Sequence, residues 1–163
     1  MLVEEITMQS DLFREAWSNF ATGVSVITSI QNNNEIHGMT ANGIASISLD
    51  PMLVMVSVGH SAQTHNIITK NMKYAINILS EDQIETGKFF AKSNQEIPKN
   101  ILSEFYMSKN NSPFLSNSLA SMDCNVVRTH SEGDHTIFIG EVTEIVVNNG
   151  KPLMFYQGKW VNF

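Results

Sequence analysis

Residues 37–51, HGMTANGIASISLDP, carry hydroxyls, two glycines and one Asp, but no Cys, Lys or Glu. Apart from His37, such a run offers a neighbour main-chain N–H groups and hydroxyls with little side-chain bulk. It suits a flat polar heterocycle that must be held by hydrogen bonds rather than attacked by a nucleophile. A plain structural reading accounts for the same residues. Small side chains let a barrel strand bend, Asn42–Gly43 makes a turn, and Asp50–Pro51 closes the segment.

The other reactive residue types supply no competing chemistry. His37, His60, His65, His130 and His135 show neither HExxH nor metal-finger spacing, and GxSxG and Cys–His signatures are missing. No catalytic side chain and no metal site are therefore expected. The acids are spread over helix starts and turns, and no acid–base pair can be placed from the sequence. Early glycines fall only at Gly23, Gly38 and Gly43, which excludes the dinucleotide fingerprint and the P-loop. Cys124 is the only cysteine and lies in an alternating segment, as a small buried hydrophobe would.

The elements that must position segment 37–51 follow from periodicity. Residues 10–22 read as a helix capped by Ser10 or Asp11, with Leu12, Phe13, Ala16, Trp17 and Phe20 on one face and Gly23 at its end. The stretch 24–30 is β-branched, and QNNNE turns the chain back toward Gly38 as a hairpin. Apolar runs at 53–58 and 74–79 read as strands covered on both faces, with a short helix over 61–71 between them. Ser80 and Gln83 match a capping box that opens a helix over 81–92, with Ile84 and Phe89 or Phe90 turned inward. Residues 92–117 lose periodicity and read as an irregular excursion. LASMDCNVV and HTIFIGEVTEIVV flank THSEGD in a long hairpin, and LMFYQGKW forms a last strand.

Six or more strands with two or three short helices, in no regular strand–helix alternation, predict a mainly β barrel. The 163 residues suit a single domain over 1–163. With 16% charged residues the surface is sparsely charged, which points to area hidden in an oligomer. A net charge of -6 with ten Lys and Arg argues against nucleic-acid binding. No apolar run reaches the roughly 20 residues that span a bilayer, and the acidic N-terminus is unlike a signal peptide. A cytoplasmic protein is expected, with no membrane partner.

Taken in order, FREAWSNFATGVSVIT, GMTANGIASISLDP, LVMVSV, YAINIL, KFFA, GDHTIFIGEV and PLMFYQGKW resemble the short flavin reductase family across residues 13–160. Each piece is weak alone, and their order and spacing make the resemblance specific. Met52 stands where the family usually has a second proline, and segment 92–117 matches no fixed pattern.

The resemblance implies an FMN-binding split β-barrel of Greek-key type. It implies an NAD(P)H-dependent oxidoreductase that moves a hydride from NADH or NADPH to FMN or FAD and supplies a partner monooxygenase with reduced flavin. The flavin carries such chemistry, and the protein positions it. By resemblance, Met39, Thr40, Ala41 and Asn42 face the pyrimidine edge of the flavin, and Ser46 and Ser48 line or support the same side. Ser57, Ser61 and Thr64 reach toward the ribityl and phosphate, and Lys88 with Phe89 completes the phosphate end. His135 of the Gly133–Asp134–His135 triplet contacts the nicotinamide. A homodimer is also implied, with Phe155, Tyr156 and Trp160 packed either at the subunit boundary or in the ordinary core. Two alternatives remain at this point: a flavin- or haem-binding split barrel without turnover, and an FMN reductase of a ferric chelate or corrinoid.

Overall fold

A computed structural model describes residues 2–31, 34–93 and 96–162, with the side chains of residues 2–7 not described. The chain runs α1 (Leu2–Ser18), β1 (Thr22–Gly23), β2 (Ser25–Ile30), β3 (Ile36–Ala41), β4 (Ile44–Leu49), β5 (Met52–Gly59), α2 (Gln63–Asn71) and β6 (Lys73–Ile78). It continues through a 3₁₀ turn at Glu81–Gln83, α3 (Ile84–Phe90), α4 (Lys99–Leu102), β7 (Phe105–Met107) and β8 (Pro113–Leu115). The last strands are β9 (Ala120–Glu132), β10 (His135–Val147), β11 (Leu153–Tyr156) and β12 (Lys159–Asn162).

Seven strands form one antiparallel sheet in the order β3-β2-β6-β9-β10-β5-β4. Strands β3 and β4 are consecutive in the chain yet lie at opposite edges, joined only by Asn42 and Gly43. In a flat sheet those edges would stand about 29 Å apart. The two-residue link spans about 11 Å at most. The sheet must therefore curl until its edges approach at Asn42–Gly43, giving a barrel split along the β3/β4 seam. The architecture is that of the expected mainly β split barrel.

The barrel interior holds Ile27, Val54, Val56, Val58, Ile68, Tyr74, Ile76, Cys124, Phe138 and Val142. A second core, with Val24, Val26, Leu79, Phe90, Ile101, Leu115 and Leu153, fills the space between the outer face of β2 and the elements α3, α4, β8 and β11. Alternation along β2 divides these cores: Val26 belongs to the outer one and Ile27 to the inner.

Several boundaries differ from expectation. Helix α1 begins at Leu2 and stops at Ser18, where the Ser18 hydroxyl and the Asn19 amide both bond the Glu15 carbonyl, at 2.7 and 2.9 Å, in place of a further turn. Gly23 consequently belongs to β1 and does not end the helix. Its aromatic ridge is exposed, with Phe13 70% and Trp17 63% accessible. LMFYQGKW is two strands, β11 and β12, because Gln157 and Gly158 adopt φ of 47° and 74° and turn the chain tightly. Within segment 92–117, residues 99–115 carry α4 and the β7–β8 hairpin where an irregular excursion was expected, and the helices number four among the described residues. No helix among the described residues is long and apolar enough to cross a membrane.

Cys124 points into the inner core, where burial first and Asp123 second push its thiol up to about 12. At pH 8 the folded protein should leave an aromatic disulfide reagent unreacted and yield one thiol equivalent in guanidinium. Because the folded state holds this proton more tightly than the unfolded chain does, the shift also lowers stability as pH rises from about 9 toward 12.

Candidate functional site

At the seam, β3 and β4 are edge strands, each paired on one side only. Alternate N–H groups of an edge strand point away from its single partner. The donors expected along Met39–Asn42 therefore lie at an open sheet edge. Side chains of Met39 and Ala41 pack into the inner core, which sends Thr40 to the outer face. There the Thr40 hydroxyl donates to the Gly87 carbonyl at 2.6 Å. This bond joins the seam to Gly87 of α3, 47 residues away in sequence, and so to Lys88 and Phe89.

On the neighbouring strand pair, Ser57 lies opposite Ile137 and Gly59 opposite His135. Their Cβ positions share the outer face, since Val56 and Val58 belong to the inner core. The Ser57 N–H donates to the Gly43 carbonyl at 2.9 Å. A Cβ on Gly43 would stand 3.5 Å from that of Ser57, and one on Gly59 would stand 3.5 Å from His135 Nε2. Gly43, Ser57, Gly59 and His135 thus form a surface kept low by two missing side chains, beside an edge of main-chain donors. Such a cradle fits a planar, hydrogen-bonding ring system.

His135 opens β10 after the two-residue corner Gly133–Asp134, where Gly133 has φ 59°. Its Nδ1 lies 2.7 Å from Asp134 Oδ1, and the bond from His135 holds the Asp134 carboxyl below its ordinary range. The pair fixes the ring with Nε2 over Gly59.

Other expected residues fall differently. A bulge between Ser46 and Ser48 pairs Ser46 with inner-core Val54 and Ser48 with Leu53, one residue on, so the two hydroxyls take opposite faces. They do not line one side. Thr64 is 1% exposed, and its hydroxyl is 2.8 Å from His37 Nε2, so it faces His37 and not an open phosphate site. Burial lowers the His37 pKa, favouring the neutral ring. Ser61 is exposed in the turn between β5 and α2, and Asn42 is exposed at the seam. Lys88 pairs with Glu85 at 2.9 Å. With Phe89, Lys92, Ile101 and Trp160 it lines a cleft of about 490 Å³.

Gly59 and Gly87 stand outside the set of residues expected at the site. A Cβ on Gly87 would come 2.9 Å from the Trp160 ring, so this position lets α3 lie between Trp160 and Thr40. Gly87 directly precedes the KFFA stretch, but nothing local in the sequence marks its partners.

Residues 17–163 match the flavin reductase like domain. An NADH-dependent flavin reductase of a Rhodococcus species is 36% identical over 149 residues, covering 90% of this chain and 82% of its own. An FMN reductase (NADH) of Agrobacterium fabrum is 34% identical, covering 93% and 84%. An NADH-dependent FAD reductase of Streptomyces globisporus is 32% identical, covering 89% and 80%. Among solved structures, the flavin reductase PheA2 superposes with TM-score 0.86 at 43% identity, covering 94% of this chain and 97% of that one. The styrene monooxygenase flavin reductase of Pseudomonas putida S12 also gives 0.86, at 32% identity with coverage of 93% and 96%.

Proposed function

The chain belongs to the flavin reductase like family, and on that premise we propose that it is an NADH-dependent oxidoreductase that reduces FMN or FAD at the β3/β4 seam. The observation that carries this reading is the cradle of Gly43, Ser57, Gly59 and His135 beside an open strand edge. Bound flavin would accept a hydride from the nicotinamide. The chain's part is to bind and orient: edge N–H groups near Met39–Asn42 offer fixed donors to a ring that becomes electron-rich on reduction. Thr40, through Gly87, ties that edge to the Lys88 end. Holding two rings together converts a bimolecular encounter into an effectively unimolecular one, which at its limit is worth roughly 7 to 11 kcal/mol. No acid–base side chain is needed for that contribution.

Anaerobic titration of the purified protein with NADH and NADPH, in the presence of FMN or FAD, tests the reading. Bleaching of the visible flavin band at catalytic protein concentration supports it. A stable oxidised flavin that neither nucleotide bleaches removes it and favours a storage barrel.

His135 serves as a positioning contact for the nicotinamide. Replacing it with Ala should raise the KM for NADH about tenfold, a loss near 1.4 kcal/mol, while flavin affinity changes less than about twofold. The reverse pattern in steady-state and binding data would move His135 to the flavin.

The reduced flavin passes to a partner monooxygenase, a reading supported by relatives named as monooxygenase reductase components. The single domain assembles as a cytoplasmic homodimer. Support for pairing comes from apolar groups bare in one chain, including Leu49 at 91% exposure and neighbouring Ile47 and Met52. Sedimentation at micromolar concentration should give twice the chain mass.

A further inference from the structure

Beside His135, the end of the barrel holds three polar groups that the proposed reduction does not use. His60, in the turn after β5, and His65, on α2, both place Nε2 at the Thr136 hydroxyl, at 3.1 and 2.9 Å. Their rings lie 5.1 Å apart edge to face, and His65 also meets Phe138 at 5.5 Å. Thr136 is buried and pairs with Val58 on the inner face, one residue from His135.

The hydrogen bonds select the tautomers. His65 Nδ1 is buried and has no hydrogen-bond partner. A neutral imidazole carries one N–H, and a buried N–H without an acceptor is a costlier orphan than a vacant lone pair. The His65 proton therefore sits on Nε2 and is donated to Thr136 Oγ1. The Thr136 hydrogen then needs its own acceptor, which His60 Nε2 supplies. His60 is left with its proton on Nδ1. His60 as a residue is exposed, and its main-chain N–H bonds the Asp134 carbonyl at 2.9 Å, which fixes it to the corner that bears His135. The nearby Asp134 carboxylate is held by His135 Nδ1.

We infer that the His65–Thr136–His60 relay presents the His60 Nδ1–H as a second dinucleotide contact, donating to an anionic phosphate oxygen of the bound nicotinamide nucleotide. This rests on the reading of the site as a nicotinamide-dependent reductase. Thr136 and His65 are positioning residues, acting only through the His60 tautomer.

The test compares His60→Leu, His60→Asn, Thr136→Val and Thr136→Ser in steady-state assays with NADH. His60→Leu and Thr136→Val should raise the KM for NADH about tenfold with kcat and the flavin KM within about twofold. His60→Asn, whose amide nitrogen lies near the Nδ1 position, and Thr136→Ser should restore most of the loss. Nitrogen NMR of labelled imidazoles should find His60 as the Nδ1–H and His65 as the Nε2–H tautomer. An unchanged NADH KM in His60→Leu, an equal rise in flavin KM, or the opposite tautomers would overturn the inference. A wild-type chain that oxidises no NADH with either flavin would instead sink the reductase reading, and the tautomers would still decide the relay.

Discussion

Replacing Gly43 with Leu should weaken flavin binding at least about 100-fold, close to 2.7 kcal/mol, while leaving the thermal midpoint nearly unchanged. Gly43 does not occupy the left-handed backbone region, and its Cβ would meet Ser57 at an ordinary 3.5 Å. An L-residue is therefore tolerated by the chain itself. Beyond Cβ, the Leu side chain would extend over the low surface of Ser57, Gly59 and His135, where the ring must lie. Gly43→Ala adds only the tolerated methyl and should stay within about threefold of the parent. Titration of flavin fluorescence, with a melting curve on each variant, separates occlusion from unfolding. Full affinity in Gly43→Leu would mean that the flavin does not use the seam.

The seam was legible in sequence because its chemistry is local: small residues, hydroxyls and an Asn–Gly pair announce a low, donor-rich edge. Strands β5 and β6 were legible for a similar reason, their apolar runs being long enough to override competing signals. What escaped depends on partners far along the chain. Thr64 looks like an open hydroxyl until His37, 27 residues earlier, closes on it. Ser46 and Ser48 look like neighbours on one face until a bulge separates them. Likewise, Gln157 carries no strong turn signal, yet its positive φ splits the last apolar run.

Segment 92–117 is the largest such case, and it explains a second expected loss: Asp123→Ala should destabilise the protein by about 3 kcal/mol. Aperiodic sequence reads as irregular, but residues 99–116 within it are held by side chains outside them. Asn77 Oδ1 accepts from Leu115 N–H at 2.9 Å, Gln83 donates to the Ser116 carbonyl at 2.9 Å, and Thr28 donates to the Pro113 carbonyl at 2.5 Å. Asp123, fully buried on β9, is the anchor with charge. Its two oxygens accept from Ser108 and Ser112, each at 2.8 Å, and Lys73 Nζ stands 3.6 Å away while also bonding the Asn110 carbonyl. Alanine would leave two buried hydroxyls without their acceptor and Lys73 without its counter-charge. For a domain of this size the loss corresponds to a fall in Tm of roughly 6 to 12 °C. Asp123→Asn keeps one acceptor oxygen and should lose about half as much. Denaturant titration measures both, and limited proteolysis should place the new cleavage within 105–115. A wild-type Tm in Asp123→Ala would show that the hairpin is held by its apolar contacts alone.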